Sequence, residues 1–146
     1  MIAVDTNILV YSHREDSEWH EQAYKIVTDL AEGRSAWAIA WPCIHEFVAI
    51  VTHPRIYNPP SPLGRAIDQV EAWLESPRLV LLAEEQGYWG ELRGFLKSGR
   101  IVGPQVHDAR IAALCRQHGV RELLSADRDF SRMSGLDVSN PLLPSQ

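Results

Sequence analysis

Short apolar runs separated by longer, helix-periodic segments constrain the fold of this chain more than any other feature. Residues 1–4, 37–40, 79–82 and 123–124 each read as a short strand, and 136–138 can make a fifth. Between them, residues 17–33 place Trp19, Ala23, Ile26, Val27, Leu30 and Ala31 on one stripe, with Ser17 as a plausible cap and Gly33 as a stop. Residues 63–75 do the same with Ala66, Ile67, Val70, Trp73 and Leu74, and residues 43–52, 88–96 and 106–115 read as further helices. Strands alternating with helices favour parallel pairing, because parallel neighbours need crossover connections. The expected fold class is α/β, a three-layer sandwich with a central, mostly parallel sheet of four to five strands flanked by helices.

Against that frame, several acids stand where acids are costly. Asp108 precedes Ile111, Ala112 and Cys115 by three, four and seven positions, so it heads the inward face of its helix. Alone, it reads equally as a helix cap or first-turn acid and as a functional carboxylate. Glu46 sits in an almost wholly apolar helix between Phe47, Val48, Ile50 and Val51, where a carboxylate requires a partner or a metal. Asp5 and Asp127 follow the first and fourth strands, at the sheet edge where open α/β sheets bind ligands. Thr6 is positioned to cap the first helix, and Asn7 to orient Asp5. Glu46 and Asp108 are expected in the first turns of helices that begin on that edge, so one crevice can hold all four acids.

Four carboxylates packed together repel by roughly 4 kcal/mol per pair at a separation of about 4 Å, so the site calls for cations or raised pKa values. Hard oxygen ligands select Mg²⁺ or Mn²⁺, as one ion or two, and such ions activate water and clamp the oxygens of a phosphodiester. A net charge of −5 argues against a nucleic-acid substrate until the acids of the site are set aside, since bound divalent ions reverse the local potential.

Length and composition bound the rest. At 146 residues, 45% hydrophobic and 23% charged, the chain is expected to form one domain over residues 1–146 with a core of ordinary size. No apolar run approaches the ~20 residues that span a bilayer, and no signal sequence is evident, so no membrane association and a cytoplasmic location are expected. Cys43 and Cys115 lack Cys-x-x-Cys spacing and read as buried thiols. His45-Glu46 begins like a zinc-protease motif, but Ala49 stands where the second histidine belongs. Neither a phosphate-binding glycine loop nor a Gly-x-Ser-x-Gly elbow is present.

Taken together, Asp5-Thr6-Asn7-Ile8-Leu9, His45-Glu46-Phe47, His107-Asp108-Ala109-Arg110-Ile111-Ala112-Ala113 and Ser125-Ala126-Asp127-Arg128-Asp129-Phe130 resemble the four acidic motifs of PIN-domain ribonucleases, in family order across nearly the whole chain. The small form, with Trp41-Pro42-Cys43-Ile44 before His45, most resembles a VapC-type toxin of a type II toxin–antitoxin pair. The resemblance implies a PIN-like sandwich, a Mg²⁺- or Mn²⁺-dependent endoribonuclease acting on RNA, a homodimer, and a cognate VapB-type antitoxin. By position it makes Asp5, Glu46, Asp108 and Asp127 the catalytic, metal-binding acids, with Asp129 as an additional ligand or a supporting neighbour. Thr6, Asn7 and Ser125 match support residues, Ser125 standing where the family often has threonine. Arg14, Arg100, Arg110, Arg128 and Arg132 lie near these motifs in sequence and either contact phosphates or pair with nearby acids. The surfaces around Trp19, Trp41 and the proline-rich loop 54–62 are candidates for dimer or antitoxin contacts. Two other functions remain open on the sequence: a catalytically weak PIN-like module that binds protein or RNA, and a metal-dependent phosphohydrolase of small molecules.

Overall fold

The computed structural model describes residues 1–144. Five strands form one sheet: β1 (Ile2–Val4), β2 (Trp37–Ala40), β3 (Leu79–Leu82), β4 (Glu122–Leu124) and β5 (Asp137–Ser139). Their spatial order is β3-β2-β1-β4-β5, and every neighbouring pair is parallel. The register sets Ala3 beside Ala38 on one side and Leu123 on the other, so β1 is enclosed. All four residues of β2 are buried, which is why it reads as a continuous apolar run without alternation.

Six helices connect and cover the sheet: α1 (Thr6–His13), α2 (His20–Glu32), α3 (Trp41–Val51), α4 (Leu63–Leu74), α5 (Tyr88–Ser98) and α6 (Val106–Gln117). From β1 the chain steps to β2 and β3 on one side, then returns past β1 to β4 and β5. Right-handed crossovers therefore place α1 to α4 on one face and α5 with α6 on the other. The packing agrees: α1 meets α2 and α3, α3 meets α4, and α5 lies against α6. The core between these layers is built on Trp37, Phe47, Ile8, Leu9, Ile39 and Leu114. Phe47 meets the Trp73 ring edge-on at 4.7 Å, which fastens α3 to α4. Among the described residues, no helix is long and apolar enough to cross a membrane.

Three expectations need correction. The second helix starts at His20 rather than Ser17, because Ser17 belongs to a turn in which its Oγ accepts from Trp19 N–H at 3.1 Å. The cap of α1 is Asp5, whose carboxylate accepts the Thr6 N–H at 2.8 Å, so Thr6 is the first helical residue rather than the cap. Glu46 lies in the second turn of α3, not the first, because the helix begins directly at Trp41 with Pro42 tolerated in its first turn. Cys43 and Cys115 are free and buried, as their spacing suggests. The five tryptophans divide: Trp37 and Trp73 are core, Trp19 is partly buried, and Trp41 and Trp89 are exposed.

Candidate functional site

The strand order reverses between β1 and β4, and a parallel sheet opens a crevice where neighbouring crossovers leave in opposite directions. Asp5 follows β1 and Ser125 follows β4, joined at the backbone by a 2.9 Å bond from Asp5 N–H to Leu124 O. Sheet topology thus brings together two segments far apart in sequence.

Asp5 is buried, and both of its oxygens accept hydrogen bonds. Oδ1 accepts from Thr6 N–H at 2.8 Å and from the Cys43 thiol at 3.6 Å. Oδ2 accepts from the Ser125 hydroxyl at 2.7 Å and from Asn7 Nδ2 at 3.5 Å. Burial raises its carboxyl above the ordinary aspartate range; the bonds from Ser125 and Thr6 oppose this, while Glu46 and Asp127 add to it. Asn7 also ties the two segments, since its Oδ1 accepts Ala126 N–H at 3.1 Å and its Nδ2 reaches Ser125 Oγ at 3.4 Å.

Glu46 is reached from α1, where the Thr6 hydroxyl donates to its Oε2 at 3.0 Å. Beyond β4, Ser125 Oγ accepts from Asp127 N–H at 3.0 Å, and Asp127 Oδ1 accepts from Asp129 N–H at 2.8 Å. That last bond caps the short 3₁₀ turn Arg128–Arg132. Asp108 occupies the first turn of α6, a helix with no side-chain cap bond, so capping does not explain it. Its carboxyl is pushed up to about 7, chiefly by burial and then by the charges of Asp127, Asp5, Asp129 and Glu46. The charges of the other four acids all reach Asp108, and Asp108, Asp127 and Asp129 each offer an oxygen within 4.8 Å of the others, a group to which Asp5 and Glu46 do not belong.

This donor set fits a hard divalent cation. Every side-chain ligand is a carboxylate oxygen, and the repulsion that raises Asp108 is what a bound cation relieves. An open cleft continues from Asp127 past Arg128, Ser131 and Asn140, beyond the ends of β4 and β5.

The arginines separate. Arg14 is held by Asp16 at 2.6 Å, donates to Ser61 Oγ at 3.2 Å and lies 4.2 Å over the Tyr57 ring. Arg110 is half-buried on α6, and its Nε is buried without a hydrogen-bond partner. Arg100, at a positive φ of 50° after α5, and Arg128, beside Asp127, are exposed. His45 and His107 are exposed, His45 lying over Trp41 with ring centroids 6.3 Å apart. Sequence reasoning missed the contact of Cys43 with Asp5. The available signal was spacing: Cys43 precedes Glu46 by three residues, so both project from one face of α3.

Comparison with known proteins matches residues 2–136 to the model of the PIN domain. Ribonuclease VapC37 of Mycobacterium tuberculosis is 30% identical over 141 residues, covering 97% of each chain. Ribonuclease VapC48 of the same species is 28% identical over 137 residues, covering 94% of each. Among solved structures, M. tuberculosis VapC20, a toxin that cleaves the sarcin-ricin loop, superposes with a TM-score of 0.65 at 15% identity, over 92% of this chain and 95% of its own. VapBC2 of Rickettsia felis, solved on a fragment of promoter DNA, gives 0.64 at 21% identity over 96% and 98%.

Proposed function

The chain belongs to the PIN domain family, and from that membership and its converging acids we propose that it is a metal-dependent endoribonuclease, the toxin of a toxin–antitoxin pair. The observation that carries this reading is the position of Asp108, which feels the charges of Asp5, Glu46, Asp127 and Asp129 at the sheet's switch point. The names of the relatives, ribonucleases over nearly their full length, supply the substrate class.

Asp5, Glu46, Asp108 and Asp127 hold Mg²⁺ or Mn²⁺, as one ion or two, with Asp129 at the exposed edge of the set. When bound, such a cation supplies the positive charge that stabilises the negative charge developing on a phosphodiester during hydrolysis. The protein's part is orientation. Thr6, Asn7 and Ser125 hold Asp5 and, through Thr6, Glu46 in fixed rotamers, as supporting donors do around carboxylate ligands. The cleft past Arg128 leaves an open path for a polymer, with Arg128 and Arg100 exposed to contact phosphates. Arg14 is committed to Asp16 and Tyr57, and its part in binding RNA is secondary.

The likeness to VapBC2 of Rickettsia felis supports a VapB-type antitoxin as partner. A homodimer, a single PIN-like unit over residues 1–146 and a cytoplasmic location complete the reading. The test is incubation of the purified protein with RNA and Mn²⁺ beside an Asp108→Asn variant. Cleavage by the wild type that disappears in the variant is expected; equal activity in both would sink the assignment.

A further inference from the structure

Cys43 lies outside the acidic motifs, yet its side chain adds a donor to Asp5. The carboxylate takes two donors at each oxygen: Thr6 N–H and Cys43 Sγ at Oδ1, Ser125 and Asn7 at Oδ2. These come from the β1–α1 turn, from α3 and from the segment after β4. Cys43 is the contribution of α3 to Asp5, and one helical turn later the same face presents Glu46 to Thr6. The two contacts together clamp α3 onto the Asp5-Thr6 turn.

We infer that Cys43 is a positioning residue, whose buried thiol fixes the plane of the Asp5 carboxylate through Oδ1 and thereby sets the affinity of the site for a divalent cation. The inference rests on the proposed reading of Asp5 as a metal-holding acid. Without the thiol, Oδ1 keeps only the Thr6 N–H, and the plane of the carboxylate rests on that bond and on the Ser125 and Asn7 donors at Oδ2, with nothing holding it from the side of α3. The chemistry of sulfur suits the place. Cys43 is 1% exposed on an apolar helix, where a hydroxyl has stronger bonding demands to satisfy, whereas a thiol packs as a small apolar group and still donates weakly.

Two measurements on the purified protein test this, and neither needs RNA. In the metal-free protein, the infrared S–H stretch of Cys43, assigned by its loss in Cys43→Ser, should rise in frequency when Asp5→Ala removes the acceptor. An unmoved band overturns the hydrogen bond. Mn²⁺ binding is then counted by electron paramagnetic resonance. Cys43→Val, which keeps the bulk and loses the donor, should bind Mn²⁺ about threefold to tenfold more weakly, while Cys43→Ser, which keeps a donor, stays within about twofold of wild type. The reverse order would show that volume matters and the donor does not, and would overturn the role; if valine prevents folding, Cys43→Ala takes its place. A wild-type protein that binds no Mn²⁺ overturns the reading of the acids as well. That failure is distinct, because the infrared result stands on metal-free protein.

Discussion

The Ser125 hydroxyl donates to Asp5 Oδ2 at 2.7 Å across 120 positions of sequence. It is the shortest of the bonds that hold this carboxylate, and Ser125 Oγ also accepts the Asp127 N–H, so one serine links two of the acids.

Replacing Ser125 with alanine should therefore disturb both. Activity and Mn²⁺ affinity are expected to fall about 10- to 100-fold, as when supporting partners of metal ligands are removed. The polar groups left without Ser125, Asp5 Oδ2 as acceptor and the Asp127 N–H as donor, should cost roughly 1–3 kcal/mol of stability. Ser125→Thr, which retains the hydroxyl, should recover most of both. Kinetics against Mn²⁺ concentration, beside thermal unfolding, checks this; an alanine variant as active as the threonine one contradicts it.

Asp108 makes a prediction about pH. Its carboxyl is raised to about 7 in the folded protein, first by burial and then by the other acids. Between the unfolded value of 3.8 and this folded value, the native state holds a proton that the unfolded state has released. Stability of the metal-free protein therefore falls as pH rises through that window and stays low above it. Asp108→Asn removes the penalty, so its melting temperature in EDTA should exceed that of wild type by a margin that grows from pH 4 to pH 8. A margin independent of pH would show that the asparagine acts through packing instead.

Adding the cation should reverse that penalty. Mn²⁺ binding displaces protons from the acids and stabilises only the folded state, so the wild-type melting temperature should rise on addition, more at pH 8 than at pH 5.5. Asp5→Asn combined with Asp108→Asn should abolish the rise, and chelation should restore the metal-free value.

Arg14 and Arg128 should part company. Arg14 pairs with Asp16, bonds Ser61 and covers Tyr57, so Arg14→Ala should lower the melting temperature while changing KM for RNA little. Arg128 is exposed beside Asp127, so Arg128→Ala should leave stability within about 0.5 kcal/mol, raise KM and reduce the salt dependence of binding. Identical effects of the two substitutions would refute the separation.

Phe47 tests the support beneath Glu46. It is fully buried and packs edge-on against Trp73, so Phe47→Ala should cost about 3–5 kcal/mol. Denaturant unfolding measures the loss, and a cost below about 1 kcal/mol would mean that α3 is not anchored through this residue.

Local sequence determined the strands and helices, because burial writes itself directly into the chain: the continuous apolar runs at β1 to β4 and the stripes of α2 and α4 are legible residue by residue. It also marked Glu46 and Asp108 as acids on apolar helices. What it left open depends on contacts between distant segments. Whether Asp108 was a cap or part of a cluster followed from how the fold brings the start of α6 near Asp5 and Asp127, which follow β1 and β4. Arg14 stands near an acidic motif in sequence, but packing holds it on Asp16. The thiol of Cys43 meets Asp5 only because parallel crossovers bring α3 back over the β1–α1 turn. Periodicity is a property of neighbours along a chain, whereas the convergence of side chains is a property of packing, and in this protein packing decided which acids and donors share the crevice.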